Sequence, residues 1–198
     1  MTQATNPTPI QKYLTLEDYL AYDDGTDTRY ELVSGKLVEM PSESDINGLI
    51  VVILMFALSR FVRPDRFRIR TEIAVSGYRA TVRVPDLMVL TEEAAAALQG
   101  AARSILLPDM PPPALVVEVV SPGIENEQRD YRYKRSEYAA REIQEYWIVD
   151  PAAEQVMVLT WVAGLYEEAV FKGEQRIVSA LFPELQLTAS QILQAKMD

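Results

Sequence analysis

Cysteine and histidine are both absent from the 198 residues. Without cysteine there is no disulfide, no zinc–thiolate site and no thiol nucleophile. Without histidine there is no Ser-His-Asp triad, no imidazole general base and no histidine-held metal. Any catalysis must run on carboxylates, lysine, hydroxyls, tyrosine, backbone groups or a metal held by oxygen. Long apolar runs are scarce too. The longest, LIVVILMFAL over 49–58, is too short to cross a bilayer and reads as a buried helix. The opening MTQATNPTPIQKYL lacks the apolar core of a signal peptide. Both features predict a cytoplasmic protein with no membrane contact.

Positive charge is in the minority. Nineteen Lys and Arg face 29 Asp and Glu, for a net charge of −10. Spread evenly, that charge would repel nucleic acid. Yet seven arginines (60, 63, 66, 68, 70, 79 and 83) stand against only Asp65 and Glu72 between Arg60 and Arg83. They make either a locally basic region or the wet face of a strand. With 48% hydrophobic residues the composition is that of a globular chain. The length suits one domain. Residues 1–12 read as a flexible leader and 13–198 as a single domain.

A coarse pass along the chain gives the element order. TLEDYLAY (15–22) is a short helix capped by Thr15. RYELVSGKLVEM (29–40) alternates around Ser34-Gly35, a hairpin signal. Ser44 or Asp45 caps a helix expected to reach Val62, with Ile46, Leu49, Ile50, Ile53, Leu54, Ala57, Leu58 and Phe61 at helical spacing. Strands follow over 66–76 and 81–90, then a helix from Thr91 to Gly100. ALVVEVV (114–120) is a strand, 127–141 a helix, and EYWIVD (145–150) a strand. VMVLTWV and LYEEAVF form a second hairpin around Ala163-Gly164, and Thr188 with Gln191 fits a capping box. The helix between strands 114–120 and 145–150 allows a parallel pair. The fold class is α/β: a mixed central sheet flanked by helices, with N-terminal and C-terminal β-hairpins.

Two carboxylates interrupt apolar strands. Glu118 stands in LVVEVVSP (115–122), and Asp86 follows Pro85 in TVRVPDLMVL (81–90). Each has a plainer reading, Asp86 as a turn cap and Glu118 in a structural ion pair. Taken together they suggest more. Neighbouring carboxylates raise one another's pKa unless a cation intervenes. Hard divalent cations accept carboxylate, carbonyl and water oxygens, so the Val119 carbonyl is a further candidate ligand. In the next helix Asp130, Lys134 and Tyr138 recur every four residues on one face. That face is either solvated or hangs over the strand end, where open α/β sheets place their sites.

Pro85-Asp86 with Glu118-Val119-Val120 resembles the PD-(D/E)XK nuclease signature, with valine at position 120 where lysine is usual. The longer stretches RYELVSGKLVEMP, VRVPDLMVL, LVVEVVSPG and RDYRYKRSEYAAREIQEYWIVDP resemble the Uma-two family of bacterial restriction-endonuclease-like proteins, over roughly residues 15–190. The resemblance implies a restriction endonuclease-like fold and hydrolysis of DNA phosphodiester bonds with Mg²⁺, or Mn²⁺ in its place. It implies Asp86, Glu118, Lys134 and Glu31 as catalytic residues. Asp86, Glu118, Val119 and Glu31 become the metal ligands. Lys134 and Tyr138 match the family's K-x-x-x-Y pattern, and a homodimer is the expected form. Many members carry a histidine near the start of the long helix, where this chain reads SESDINGL. A catalytically silent module of the same fold, binding nucleic acid or serving assembly, is the alternative reading.

Overall fold

The computed structural model describes residues 13–40, 42, 44–75 and 77–196. The expected leader over 1–12 lies outside the described residues, as do 197 and 198.

Local chemistry sets the first elements. Thr15 caps α1 (Leu16–Leu20) through a capping box with Asp18. β1 (Tyr30–Val33) and β2 (Lys36–Glu39) pair antiparallel. Ser34 and Gly35 between them both have positive φ, 49° and 79°, as a tight hairpin turn requires. Ser44 caps α2 (Asp45–Leu58), its Oγ accepting from the Asn47 N–H. The helix stops four residues short of the expected Val62. Pro64 lies ahead, and Arg63 before it is already extended at ψ 144°, as a residue preceding proline must be.

The two long strands expected next are each divided. β3 (Phe67–Ile69) and β4 (Glu72–Val75) are separated at Arg70, whose φ of 48° breaks the strand. β5 (Thr81–Arg83) and β6 (Leu87–Val89) are separated at Val84-Pro85-Asp86, where proline has no N–H to donate to a ladder. β3 pairs with β6 and β4 with β5, both antiparallel. The two chains thus cross together from one sheet to the other. α3 (Glu92–Ala97) and β7 (Ile105–Leu106) follow.

β8 (Leu115–Val119) leads to a continuous helical stretch. It comprises α4 (Ile124–Gln128), a π-helical segment Arg129–Lys134, and α5 (Arg135–Ala140). β9 (Glu145–Asp150) returns parallel to β8, so the helix is the expected crossover. β10 (Gln155–Val162) and β11 (Leu165–Phe171) form the second hairpin, and α6 (Ala189–Leu193) closes the order.

The fold is a mixed α/β architecture built on two sheets, where one central sheet was expected. The five-stranded sheet has order β2-β1-β5-β4-β7, and the six-stranded sheet β11-β10-β9-β8-β6-β3. On one face of the larger sheet Leu115, Val117, Trp147 and Val149 pack with Ile50, Leu54 and Leu58 of α2. On the other face Val116, Tyr146 and Ile148 pack with Tyr138 and Ile143. A third cluster of Tyr19, Leu32, Ala74, Val82 and Ile105 lies on the smaller sheet. Strand alternation therefore puts Glu118 on the face of Val116, under the helix that carries Lys134.

Candidate active site

β8 and β6 are antiparallel, with Val117 opposite Leu87. One step further in that register come Glu118 and Asp86. The break at Pro85 takes the Asp86 backbone out of the strand ladder. Its Oδ2 accepts the Val119 N–H at 2.7 Å. Asp86, Glu118 and Val119 all line one cavity where the two sheets meet.

The crossover helix supplies the cation. Lys134 Nζ lies 2.7 Å from Glu118 Oε2 and 3.1 Å from Asp130 Oδ1, with Glu31 Oε1 at 3.8 Å. Lys134 and Glu118 are 2% and 3% exposed, so this is a buried ion pair rather than a solvated helix face. Tyr138 donates its hydroxyl to Glu118 Oε1 at 2.7 Å. Both Glu118 oxygens thus answer to one helix. Lys134 is the last residue of the π-helical segment. Wide turns of this kind recur at functional sites because they re-aim side chains that a regular helix would place elsewhere. Tyr146 anchors the segment, its hydroxyl bonding the Asp130 carbonyl at 2.9 Å.

Glu31 enters from β1. Its Oε2 accepts from Arg83 Nη1 at 2.9 Å and its Oε1 from the Val84 N–H at 3.1 Å. Arg83 is itself buried and forks onto Glu137, with Nε and Nη2 at 2.7 and 2.8 Å from the two oxygens. The first hairpin, β5 and α5 are thereby clamped around the cavity. Arg129 pairs with Asp130 at 3.0 Å.

Burial pushes the Glu118 carboxyl up, Lys134 pulls it down, and Asp130, Asp86 and Glu31 push it up again, leaving a pKa pushed up to about 8. Burial draws the Lys134 ammonium down, but Glu118, Asp130 and Glu31 outweigh it and raise it above the ordinary lysine range. Within this pair Glu118 takes up a proton before Lys134 loses one. Glu31 behaves oppositely to Glu118. Burial raises its carboxyl, yet Lys134 and Arg83 together hold it below the usual range.

The ionisable groups lining the cavity are the acids Glu31, Glu39, Asp86 and Glu118 and the bases Arg70, Arg129 and Lys134. The enclosed space is about 50 Å³, enough for an ion or a water or two. The donor set suits a hard divalent cation, which would favour the charged form that burial first, and then the neighbouring carboxylates, disfavour at Glu118. Among the described residues no three Asp or Glu side chains form a ready-made metal cage. Two carboxylates completed by carbonyl and water are what Mg²⁺ ordinarily accepts.

The structure brings Asp86, Glu118, Val119, Glu31, Lys134 and Tyr138 together. It also adds Glu137, Arg129 and Asn47, which the sequence alone does not single out, and Arg70 and Arg83, which the sequence marks only as members of the 60–83 arginine run. Asn47, in the SESDINGL segment, is buried, lines the cavity and donates Nδ2 to Ser121 Oγ at 3.4 Å. The position of Arg83 inside an apolar strand three residues before Asp86 is a signal for its burial. The arginines at 60–83 are divided: Arg63, Arg66 and Arg68 line one surface pocket beside Asp65 and Glu92, and Arg70 lines the cavity of the site. Arg83 is buried, Arg66 and Arg68 bond backbone carbonyls, Arg63 pairs with Asp65, and Arg79 stacks on Tyr13.

A sequence profile of the Uma2 family, described as "Putative restriction endonuclease", matches residues 16–190. Among solved structures, a crystal structure described as a putative nuclease belonging to DUF820, from Anabaena variabilis, is similar with a TM-score of 0.70. The likeness covers 92% of this chain and 98% of that one, at 18% identity. It carries the nuclease-like fold. No match is found among curated proteins.

Proposed function

The chain belongs to the Uma2 family, and from that premise we propose that it is a metal-dependent endonuclease hydrolysing DNA phosphodiester bonds. The observation that carries the reading is the contact of Lys134 Nζ with Glu118, beside Asp86 in one cavity. In this reading Asp86 and Glu118 hold Mg²⁺, or Mn²⁺ in its place, with the Val119 carbonyl and Glu31 as further ligands. The bound ion supplies Lewis acidity toward water and toward the phosphate. Lys134 donates its N–H groups to the attacking water or to a phosphate oxygen, stabilising the charge that develops in the transition state. Tyr138 orients Glu118, and Arg83 orients Glu31. The acting unit is residues 13–198 as one domain, a cytoplasmic homodimer, whose two-fold symmetry would place one site on each strand where the substrate is a duplex. No helix among the described residues is long and apolar enough to cross a membrane.

A second reading rests on a specific observation. Glu118 and Glu31 already have every oxygen engaged by Lys134, Tyr138, Arg83 or Val84. A network so satisfied could be a structural remnant in a silent module that binds nucleic acid or serves assembly. Incubating the protein with supercoiled plasmid and with single-stranded DNA separates the two. Cleavage that requires Mg²⁺ or Mn²⁺, stops with chelator and is lost in Glu118→Ala supports the nuclease. A folded protein that cuts neither substrate with either metal supports the silent module.

A further inference from the structure

Next to the catalytic cavity lies a larger one, of about 320 Å³, with Arg70 and Val84 in the wall of both. Its volume falls at the small end of ligand-binding cavities, about 300–1,000 Å³. β1 alternates between them. Tyr30 lines the larger space, and Glu31, the next residue, lines the catalytic one.

Three tyrosines, Tyr19, Tyr22 and Tyr30, stand in a largely polar lining. Tyr22 and Tyr30 meet edge to face with ring centroids 5.8 Å apart. Arg103 lies over the Tyr19 ring at 4.9 Å and is fixed there by a fork onto Glu72, both bonds 2.6 Å. The Tyr30 hydroxyl bonds Asp24 Oδ2 at 2.9 Å, which ties the 23–28 loop to the wall. Asp23 and Asp24 hold that loop further by accepting from the Gly25 and Thr26 N–H groups. The formal charges cancel: Asp23, Asp24 and Glu72 face Arg29, Arg70 and Arg103. A neutral, polar, aromatic-walled space does not select a bare anion. It suits a flat heterocycle that stacks on tyrosine and exchanges hydrogen bonds around its rim. Such a group is joined to a phosphate in a nucleotide, and the mouth of the catalytic cavity is the adjoining place for that phosphate.

We propose that this cavity is a nucleotide subsite. It takes an unstacked base of single-stranded nucleic acid, next to a phosphate at the mouth of the catalytic cavity. The proposal rests on the nuclease reading for the phosphate's position, while its base site is tested without catalysis. Tyr22 is 42% exposed, so truncating it leaves the core intact. The test is fluorescence anisotropy of the full chain in chelator. The probes are a labelled single-stranded DNA decamer and the same sequence as a duplex, and the proteins are wild type, Tyr22→Ala and Tyr22→Phe. The expected result is preference for the single strand. Tyr22→Ala should lose roughly five- to a hundredfold in affinity, the range of one base–aromatic stack, and Tyr22→Phe should retain it. Equal affinity of Tyr22→Ala and wild type overturns the subsite, as does wild type binding no single strand. If Tyr22→Ala binds like wild type while metal-dependent cleavage is seen, the nuclease reading stands and the subsite falls. If the Tyr22 effect is seen in a protein that cuts nothing with either metal, the base site stands and the nuclease reading falls.

Discussion

At the scale of the residue, the problem is a carboxylate inside an apolar strand. Glu118 stays there because Lys134 and Tyr138 satisfy both of its oxygens. Its raised pKa gives a signed prediction. The folded group binds its proton up to about 8, well above an unfolded glutamate near ~4.3. Between those two values the native state holds more protons than the unfolded one. The metal-free protein therefore loses stability as pH rises through that window. Thermal melts in chelator from pH 5 to 8 should show the fall, and Glu118→Gln should flatten it. Arg83→Ala tests the clamp. It strands Glu31 and Glu137 without their buried partner, so about 3–5 kcal/mol of stability should be lost in denaturant unfolding. Tyr138→Phe removes one donor to Glu118 and should cost about 1–3 kcal/mol, with the fold retained.

At the scale of the element, legibility followed the period of the pattern. The hairpins, the caps at Thr15, Ser44 and Thr188, and the parallel pair of β8 with β9 were readable because each has a local chemical cause. Asp86, Glu118, Lys134 and Tyr138 stood out as polar residues in apolar or helical registers. Three things were not readable. α2 is apolar on all sides, so its period could not choose a face. Ile50, Leu54 and Leu58 are buried as expected, while Leu49 is exposed and Phe56, also exposed, lies opposite the core. The division of the two long strands depends on Arg70 adopting positive φ, for which arginine gives no signal. The π-helical segment is likewise a tertiary effect, since Arg129–Lys134 reads as ordinary helix. One local element invites a direct test. Gly35 has φ +79°, and a Cβ added there would stand 2.8 Å from Tyr13 Cβ. Gly35→Ala should cost more than the ~1 kcal/mol of left-handed strain alone. It should also loosen the hairpin that carries Glu31, readable as faster amide exchange in β1 and β2.

At the scale of the whole molecule, the proposed nuclease reading asks a chain of net charge −10 to hold a polyanion. The arginines of the 60–83 stretch are divided among separate places: Arg83 is buried against Glu31 and Glu137, Arg70 lines the cavity, and Arg63, Arg66 and Arg68 line a separate pocket with Asp65 and Glu92. Phosphate contacts in the account are few, centred on Lys134, Arg129 and Arg70 at the cavity. DNA affinity should therefore fall with log salt on a slope of roughly −1 to −3, far shallower than that of proteins making many phosphate contacts. A steeper slope would mean a wider interface than the cavity supplies.

The central claim is that the pocket of Asp86 and Glu118 holds a divalent cation, and a Mn²⁺ titration by calorimetry with parallel melts tests it most directly. The account predicts saturable binding to wild type and none to Asp86→Asn. At a hundredfold excess over Kd the native state should gain about 2.7 kcal/mol. That corresponds to a rise in Tm of roughly 5–10 °C for a chain of this size. Absence of binding to folded wild type, or equal binding by Asp86→Asn, would contradict the account and leave Glu118 and Lys134 as a structural ion pair.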